Sequence, residues 1–464
     1  MLFTSYAFLF FFLPLIIVAS RLFRGQARNL CLVITSFAFY GWWRADFMLL
    51  FIASSIFNYH AGSWIARRKN ESSRIPLTLA VTLNLAVLAY FKYANFGVAN
   101  WNALMSGLGW KTMGWETMVL PVGISFYTFQ AISYLVDVHR KTVEPAHRWT
   151  DFACYLALFT HVAGPIVRYV NIIHELKSPV LGLELLERGA FLFMTGFCKK
   201  VLIANNVAIA ADAVFDTGAA GAAGTWIGLA SYALQIYFDF SGYSDMAIGL
   251  GYMIGFKFPV NFDSPYQATS ITNFWRRWHI TLSNWLRDYL YFPLGGSRQG
   301  LRRTCINLII VMLLGGLWHG ANWTFVVWGA YHGIWLAIER WNGGRSLLQD
   351  RVPAWLNRLF VLLLILLSWI PFRVGTVAQM KDFVRDLLPH GPALWHEQIA
   401  SLHQPWFWFF FGTGWLIALF AKNSNQFAER KRRPWLTLAM LLLFLLALHE
   451  LASQELNPFL YFQF

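Results

Sequence analysis

Residues 304–338 read TCINLIIVMLLGGLWHGANWTFVVWGAYHGIWLAI, and how this stretch is read decides the fold. Two apolar runs, 304–318 and 322–338, flank a short turn that carries His319. They read as a helical hairpin with an ionisable side chain at membrane depth. Such a side chain is costly in hydrocarbon, so its presence argues for a functional site. Gly315, Gly316 and Gly320 beside it allow close backbone approach. A second histidine lies upstream in Phe274-Trp275-Arg276-Arg277-Trp278-His279, also framed by tryptophans. The two histidines are far enough apart in sequence to sit on different helices that face one site.

Composition agrees with the hairpin. Of 464 residues, 57% are hydrophobic and 13% charged, whereas soluble domains carry about 25% charged residues. The expectation is an all-α polytopic membrane protein, with residues 1–464 forming a single integral-membrane domain in a lipid bilayer. The formal net charge of +14 does not point to nucleic acid. Its basic residues sit mostly in short loops between apolar runs, where they act as topology signals. Cys31, Cys154, Cys198 and Cys305 lie in or beside apolar segments without CxxC spacing, which suggests neither a disulfide framework nor a metal site.

Other apolar runs lie near 3–20, 29–43, 47–65, 75–91, 119–136, 187–205, 225–256, 355–371, 405–421 and 434–452. No Lys or Arg precedes Arg21, so the start lacks the basic region of a cleavable signal. Arg21, Arg24 and Arg28 follow the first run and place the N-terminus outside. The loops with Arg67, Arg68, Lys69 and Arg74, and with Arg140, Lys141 and Arg148, are then cytoplasmic. Arg430, Lys431, Arg432 and Arg433 mark the last cytoplasmic loop, which leaves both termini periplasmic. Segment 150–167, with His161, Gly164 and Pro165, reads as re-entrant, because irregular backbone at membrane depth must be shielded by protein.

Residues 273–291 have the spacing of an amphipathic helix at the cytoplasmic interface. Trp275, Trp278, Leu282, Trp285 and Tyr289 share one face; Arg276, His279, Ser283 and Arg287 cluster on the other. Arg298, Arg302 and Arg303 follow in and after a glycine-containing loop. These arginines serve either as positive-inside anchors or as ligands of a phosphate-bearing cytosolic molecule. His319 is either a catalytic group or a core histidine satisfied by its neighbours. His332 reads as structural. Asp239 and Asp245, inside an apolar span, read as structural partners for a histidine or for Lys199 and Lys200.

FWRRWHITLSNWLRDYLYFPLGG (274–296) and GGLWHGANWTFVVWGAYHG (315–333) resemble the membrane-bound O-acyltransferase (MBOAT) family. Pro121–Gln130, the Ala163-Gly164-Pro165-Ile166 break and residues 237–250 resemble its bacterial polysaccharide O-acetylation branch, which includes the alginate type. The resemblance runs over essentially the whole chain. It implies a ring of about ten to twelve tilted transmembrane and re-entrant helices around a central tunnel. It also implies that His319 is the catalytic histidine and His279 its partner. Acetyl-CoA is the implied donor, with Arg276, Arg277, Arg287 and Arg298 holding its phosphates. The implied setting is the bacterial inner membrane.

Acyl transfer from a thioester to a hydroxyl needs a base near neutral pH, a role histidine suits. The chain has no G-x-S-x-G elbow and no convincing Ser/His/Asp set. The expected partner is therefore a periplasmic acetyltransferase or acetyl-carrier subunit that completes O-acetylation of an exopolysaccharide such as alginate or cellulose. Candidate docking stretches are 94–118 and 372–404, with Trp395 and Trp406 as anchors. Peptidoglycan O-acetylation, or a polysaccharide exporter or flippase without acyl transfer, are the competing readings.

Overall fold

The computed structural model describes residues 2–68, 70–159, 164–217, 221–389, 400–429, 434–453 and 459–460. Every regular element among them is helical. The order is α1 (Leu13–Leu22), α2 (Gly25–Gly41), α3 (Ala45–Arg67), α4 (Arg74–Gly107), α5 (Ile124–His139), α6 (Trp149–Ala157) and α7 (Tyr169–Lys177). There follow α8 (Leu183–Cys198), α9 (Asn205–Thr217), α10 (Gly221–Met253), α11 (Ile271–Trp275), α12 (Ile280–Leu286), α13 (Gly300–His319) and α14 (Trp323–Trp341). The last are α15 (Ala354–Arg373), α16 (Val377–Asp386), α17 (Pro405–Phe420), α18 (Ser424–Glu429) and α19 (Pro434–Ser453). Among the described residues, 74–107, 183–216, 300–319, 354–373 and 434–453 are long and apolar enough to cross a membrane. The helices group into two compact units, residues 1–190 with 247–259, and residues 191–246 with 260–464.

The first unit is tied by polar side chains that satisfy one another away from water. Asn58 and Asn84 exchange amide hydrogen bonds of 3.1 and 2.8 Å between α3 and α4. Such pairs hold helices together where hydrocarbon offers no competing partner. Asn29 donates from Nδ2 to Asp151 and to the Leu176 carbonyl, both at 2.9 Å. Arg28 departs from its expected role as a solvent-facing topology marker. Its side chain is 1% exposed, donates to the Ile254 carbonyl and lies 4.8 Å from the Phe256 ring centroid. The re-entrant expectation for 150–167 meets a helix that stops at Ala157 and buried, irregular backbone at 164–167. His161 lies outside the described residues, as do Arg430–Arg433. The 94–118 stretch is helical as far as Gly107, because α4 runs for 34 residues.

In the second unit, α8 and α9 are joined by a π-helical turn, Lys199–Ala204. The turn presents two lysines to α10. Lys199 pairs with Asp245 at 2.7 Å and Lys200 with Asp239 at 2.5 Å. Asp239 also accepts from the Leu460 amide at 2.8 Å. The expected Lys–Asp partnership is thus the arrangement seen. One α10 glycine, Gly242, has its Cα so near Gly196 that a Cβ would fall 2.6 Å from the Gly196 carbonyl oxygen.

The α13–α14 hairpin matches the opening sequence reading, with His319 as the last residue of α13. Its two arms cross on glycines. A Cβ on Gly316 would sit 2.2 Å from the Phe325 carbonyl oxygen, and one on Gly329 2.4 Å from that of Met312. Gly315 differs: a Cβ there would meet only Leu286 Cδ1, at 3.5 Å. Gly316→Ala should therefore force the arms apart and cost about 1–3 kcal/mol, while Gly315→Ala is tolerated. Thermal unfolding of the two variants in detergent checks this, and equal midpoints would refute the crossing.

Candidate functional site

α11 is short and starts where its N–H groups find acceptors. The Ser270 hydroxyl accepts from the Asn273 amide at 2.9 Å. The buried Glu339 carboxylate, from α14, accepts from the Ile271 and Thr272 amides at 2.6 and 2.8 Å. Glu339 thus ties the end of the His319 hairpin to the start of the His279 segment.

The continuous helix expected over 273–291 does not form. α11 ends at Trp275, α12 begins at Ile280, and a π turn covers Arg287–Tyr291. The cause is competition for backbone hydrogen bonds. In an unbroken helix the Arg277 carbonyl would accept from the Thr281 amide. Here the Arg277 carbonyl accepts from the Asp263 amide at 2.9 Å, and the Thr281 amide donates to Asn261 Oδ1 at 3.3 Å. The Ile280 amide donates to the Asn261 carbonyl at 2.9 Å. His279 is left in the left-handed region, φ 43° and ψ 53°, a conformation that is uncommon for a residue with a side chain.

This break separates side chains that the helical spacing grouped together. His279 is 0% exposed, while Arg276 is exposed. The His279 ring packs edge-on to Phe240 at 4.7 Å between centroids and lies 6.3 Å from Trp318. Its Nδ1 is 3.1 Å from Asn261 Oδ1. The 271–291 segment lies outside the candidate spans, and burial pushes the His279 imidazole down to about 3. It is neutral at physiological pH.

His319 is 3% exposed in a box of aromatic rings. Trp318 and Trp328 lie at 5.0 Å and Phe372 at 5.1 Å, all near-perpendicular to it. Trp318 therefore contacts both histidines. His332 accepts from the Trp275 indole N–H at 3.3 Å and packs on Trp328.

Beside these rings lies a pocket of about 470 Å³. Arg276, Ser283, Arg287 and Arg340 give it polar groups, and Leu308 and Met312 belong to its apolar wall. Trp275 also lines it and leads inward, with Trp328 at 5.6 Å. Arg287 grips Asp288 through Nε at 2.7 Å and Nη2 at 3.1 Å, and this carboxylate raises its already high pKa. Arg277 is directed elsewhere, to Asn273 Oδ1 at 3.1 Å and the Asp263 carbonyl at 3.0 Å. Arg298 is exposed, with Nε 3.5 Å from the Gly295 carbonyl, and does not line the pocket. Sequence reasoning missed Arg340, Glu339 and Asn261. The available signal for the first two was a charged pair, Glu339-Arg340, closing an otherwise apolar arm. Asn261 had no signal of its own.

A cationic pocket with an apolar wall suits an anion that carries a long, weakly polar arm. Among the described residues, no cluster of three His, Cys, Asp or Glu side chains could hold a metal ion. The sequence pattern described as MBOAT, membrane-bound O-acyltransferase family, matches residues 77–342. The chain is 42% identical to probable alginate O-acetylase AlgI of Azotobacter vinelandii over 506 residues, covering 100% of both. It is 46% identical to the Pseudomonas aeruginosa protein of that name, over 80% of this chain and 72% of the other. It is 35% identical to a peptidoglycan O-acetyltransferase of Helicobacter pylori, over 85% of this chain and 81% of the other. The pattern match and these identities make the chain a multi-pass membrane O-acyltransferase belonging to the MBOAT family.

Proposed function

We propose that this protein takes acetyl from cytosolic acetyl-CoA and passes it across the bacterial inner membrane for O-acetylation of an exopolysaccharide. The observation that carries the reading is the arginine pocket, one of whose lining rings, Trp275, packs on Trp328, which in turn packs on His319. Arg276, Arg287 and Arg340 would hold the CoA phosphates, since guanidinium groups pair well with phosphate oxygens. The apolar wall would take the pantetheine arm.

His319 would accept the proton of the attacking hydroxyl. The hydroxyl oxygen forms the new ester bond, the thioester C–S bond breaks, and the proton ends on the CoA sulfur. Neutral His279 would orient the thioester. The rings around His319 would keep bulk water from the thioester. The relatives' names support acetyl as the group carried, with alginate-type polymer as acceptor and peptidoglycan as the competing one. A periplasmic acetyltransferase or carrier would complete the transfer, with both termini of this chain periplasmic. Trp406, 68% exposed, is available as a docking anchor, whereas Trp395 lies outside the described residues.

Removing a general base typically costs a factor of about 10²–10⁴. His319→Ala should lower CoA release from acetyl-CoA by that factor with the protein still folded. Retained release would overturn the catalytic role, and no release by wild type with partners and polymer supplied would favour an exporter. Replacing Arg276 and Arg340 with Ala should raise KM for acetyl-CoA about tenfold with kcat little changed, and flatten its dependence on salt. An unchanged KM would remove both arginines from the donor site and leave Arg276 its reading as a topology anchor.

A further inference from the structure

We infer that Asn261 is the positioning residue of His279, fixing it as the Nδ1–H tautomer so that Nε2 is the nitrogen with a lone pair. The argument begins with a group whose role is beyond choice. The Thr281 backbone N–H can only donate, and it points at the Asn261 side-chain oxygen at 3.3 Å. That fixes which end of the amide is oxygen. The Thr281 hydroxyl donates to the same oxygen at 2.8 Å. At the other end, Asn261 Nδ2 donates to Ser244 Oγ at 3.1 Å. The oxygen so placed lies 3.1 Å from His279 Nδ1. Two lone pairs at that distance repel, so Nδ1 carries the proton.

Asn261 is 1% exposed, and Ser244 is equally buried. A buried amide with both ends engaged has no cheap way to flip. The same residue captures the Ile280 amide with its carbonyl at 2.9 Å. Backbone and side chain of Asn261 thus hold both the left-handed turn at His279 and the ring's proton. The charged groups of the elements packed around the ring are engaged elsewhere. Asp239 and Asp245 of α10 pair with Lys200 and Lys199, and Asp263 receives Asn423 Nδ2 at 2.5 Å. Among the described residues, the further titratable groups on these elements near the ring are His319 of α13 and Tyr237 and Tyr243 of α10.

The consequence for catalysis rests on the orienting role proposed for His279: Nε2 would place the thioester by accepting from an amide N–H of the pantetheine arm, never by donating to the thioester carbonyl. The test uses the full chain in detergent with ¹⁵N-labelled histidine rings, the His279 signal being assigned by its loss in His279→Gln. The expected spectrum shows Nδ1 protonated in the wild type. Asn261→Asp keeps every acceptor contact, so the tautomer should persist, and the ring should take its second proton about 1–3 pH units higher. Asn261→Leu should lose the fixed tautomer. With acetyl-CoA as probe, Asn261→Leu should lower kcat at least tenfold at unchanged KM, and Asn261→Asp should restore most of it. An Nε2-protonated ring in the wild type, or an Asn261→Asp ring that titrates with the wild type, overturns the inference. A merely structural Asn261 would lower the unfolding midpoint of Asn261→Leu and leave the ring's tautomer unchanged. Wild-type CoA release that is absent or independent of His279 would refute the catalytic reading alone, since the ring spectra stand without it.

Discussion

The crossing of α13 and α14 on Gly316 and Gly329 sets the register of everything around His319. With backbone meeting backbone there, α14 becomes a rigid rod held against the end of α13. Its first turn is capped by Asn322, which also donates to the Gly375 carbonyl at 2.6 Å. Its middle presents Trp328 to His319 and His332 to Trp275. Its end presents Glu339 to the first amides of α11. One helix therefore measures out the distance between the two histidine segments. A side chain added at the crossing would shift every one of these contacts together, because close-packed interiors transmit displacement instead of absorbing it.

The hairpin was legible because its signals are local. Two apolar arms, a histidine and flanking glycines all fall within one short stretch, and helix ends at His319 and Trp323 follow from them. The segment 273–291 was misread for the opposite reason. Its spacing is helical, yet the groups that break the helix belong to Asn261 and Asp263, and no periodicity reports a competing partner. The error moved His279 from an arginine face into the core, while leaving Arg276 and Arg287 on one pocket. Arg28 shows the same limit. Its position after an apolar run suggests a water-facing charge, and only its tertiary neighbours explain its burial. Arg340 was hidden among the residues that end a span, where a cation is expected on general grounds.

Buried charge is handled by a consistent device. Lys199 and Lys200 sit on a π turn, which re-aims successive side chains at one neighbouring helix. Each lysine meets a separate aspartate on α10, and Asp239 gains a backbone donor as well. Ion pairs removed from water repay their desolvation only when geometry and further hydrogen bonds are good. The π turn supplies the geometry, and the Leu460 amide supplies a further bond. Glu339 follows the same logic without a cation, spending both oxygens on the amides of a helix start.

The length of α4 reaches beyond the protein. Its 34 residues extend about 51 Å as an α-helix, against a hydrocarbon core of about 30 Å. Tilt, protrusion into water or a locally thickened bilayer must absorb the excess. Lipid chain length thereby becomes a mechanical variable for this protein.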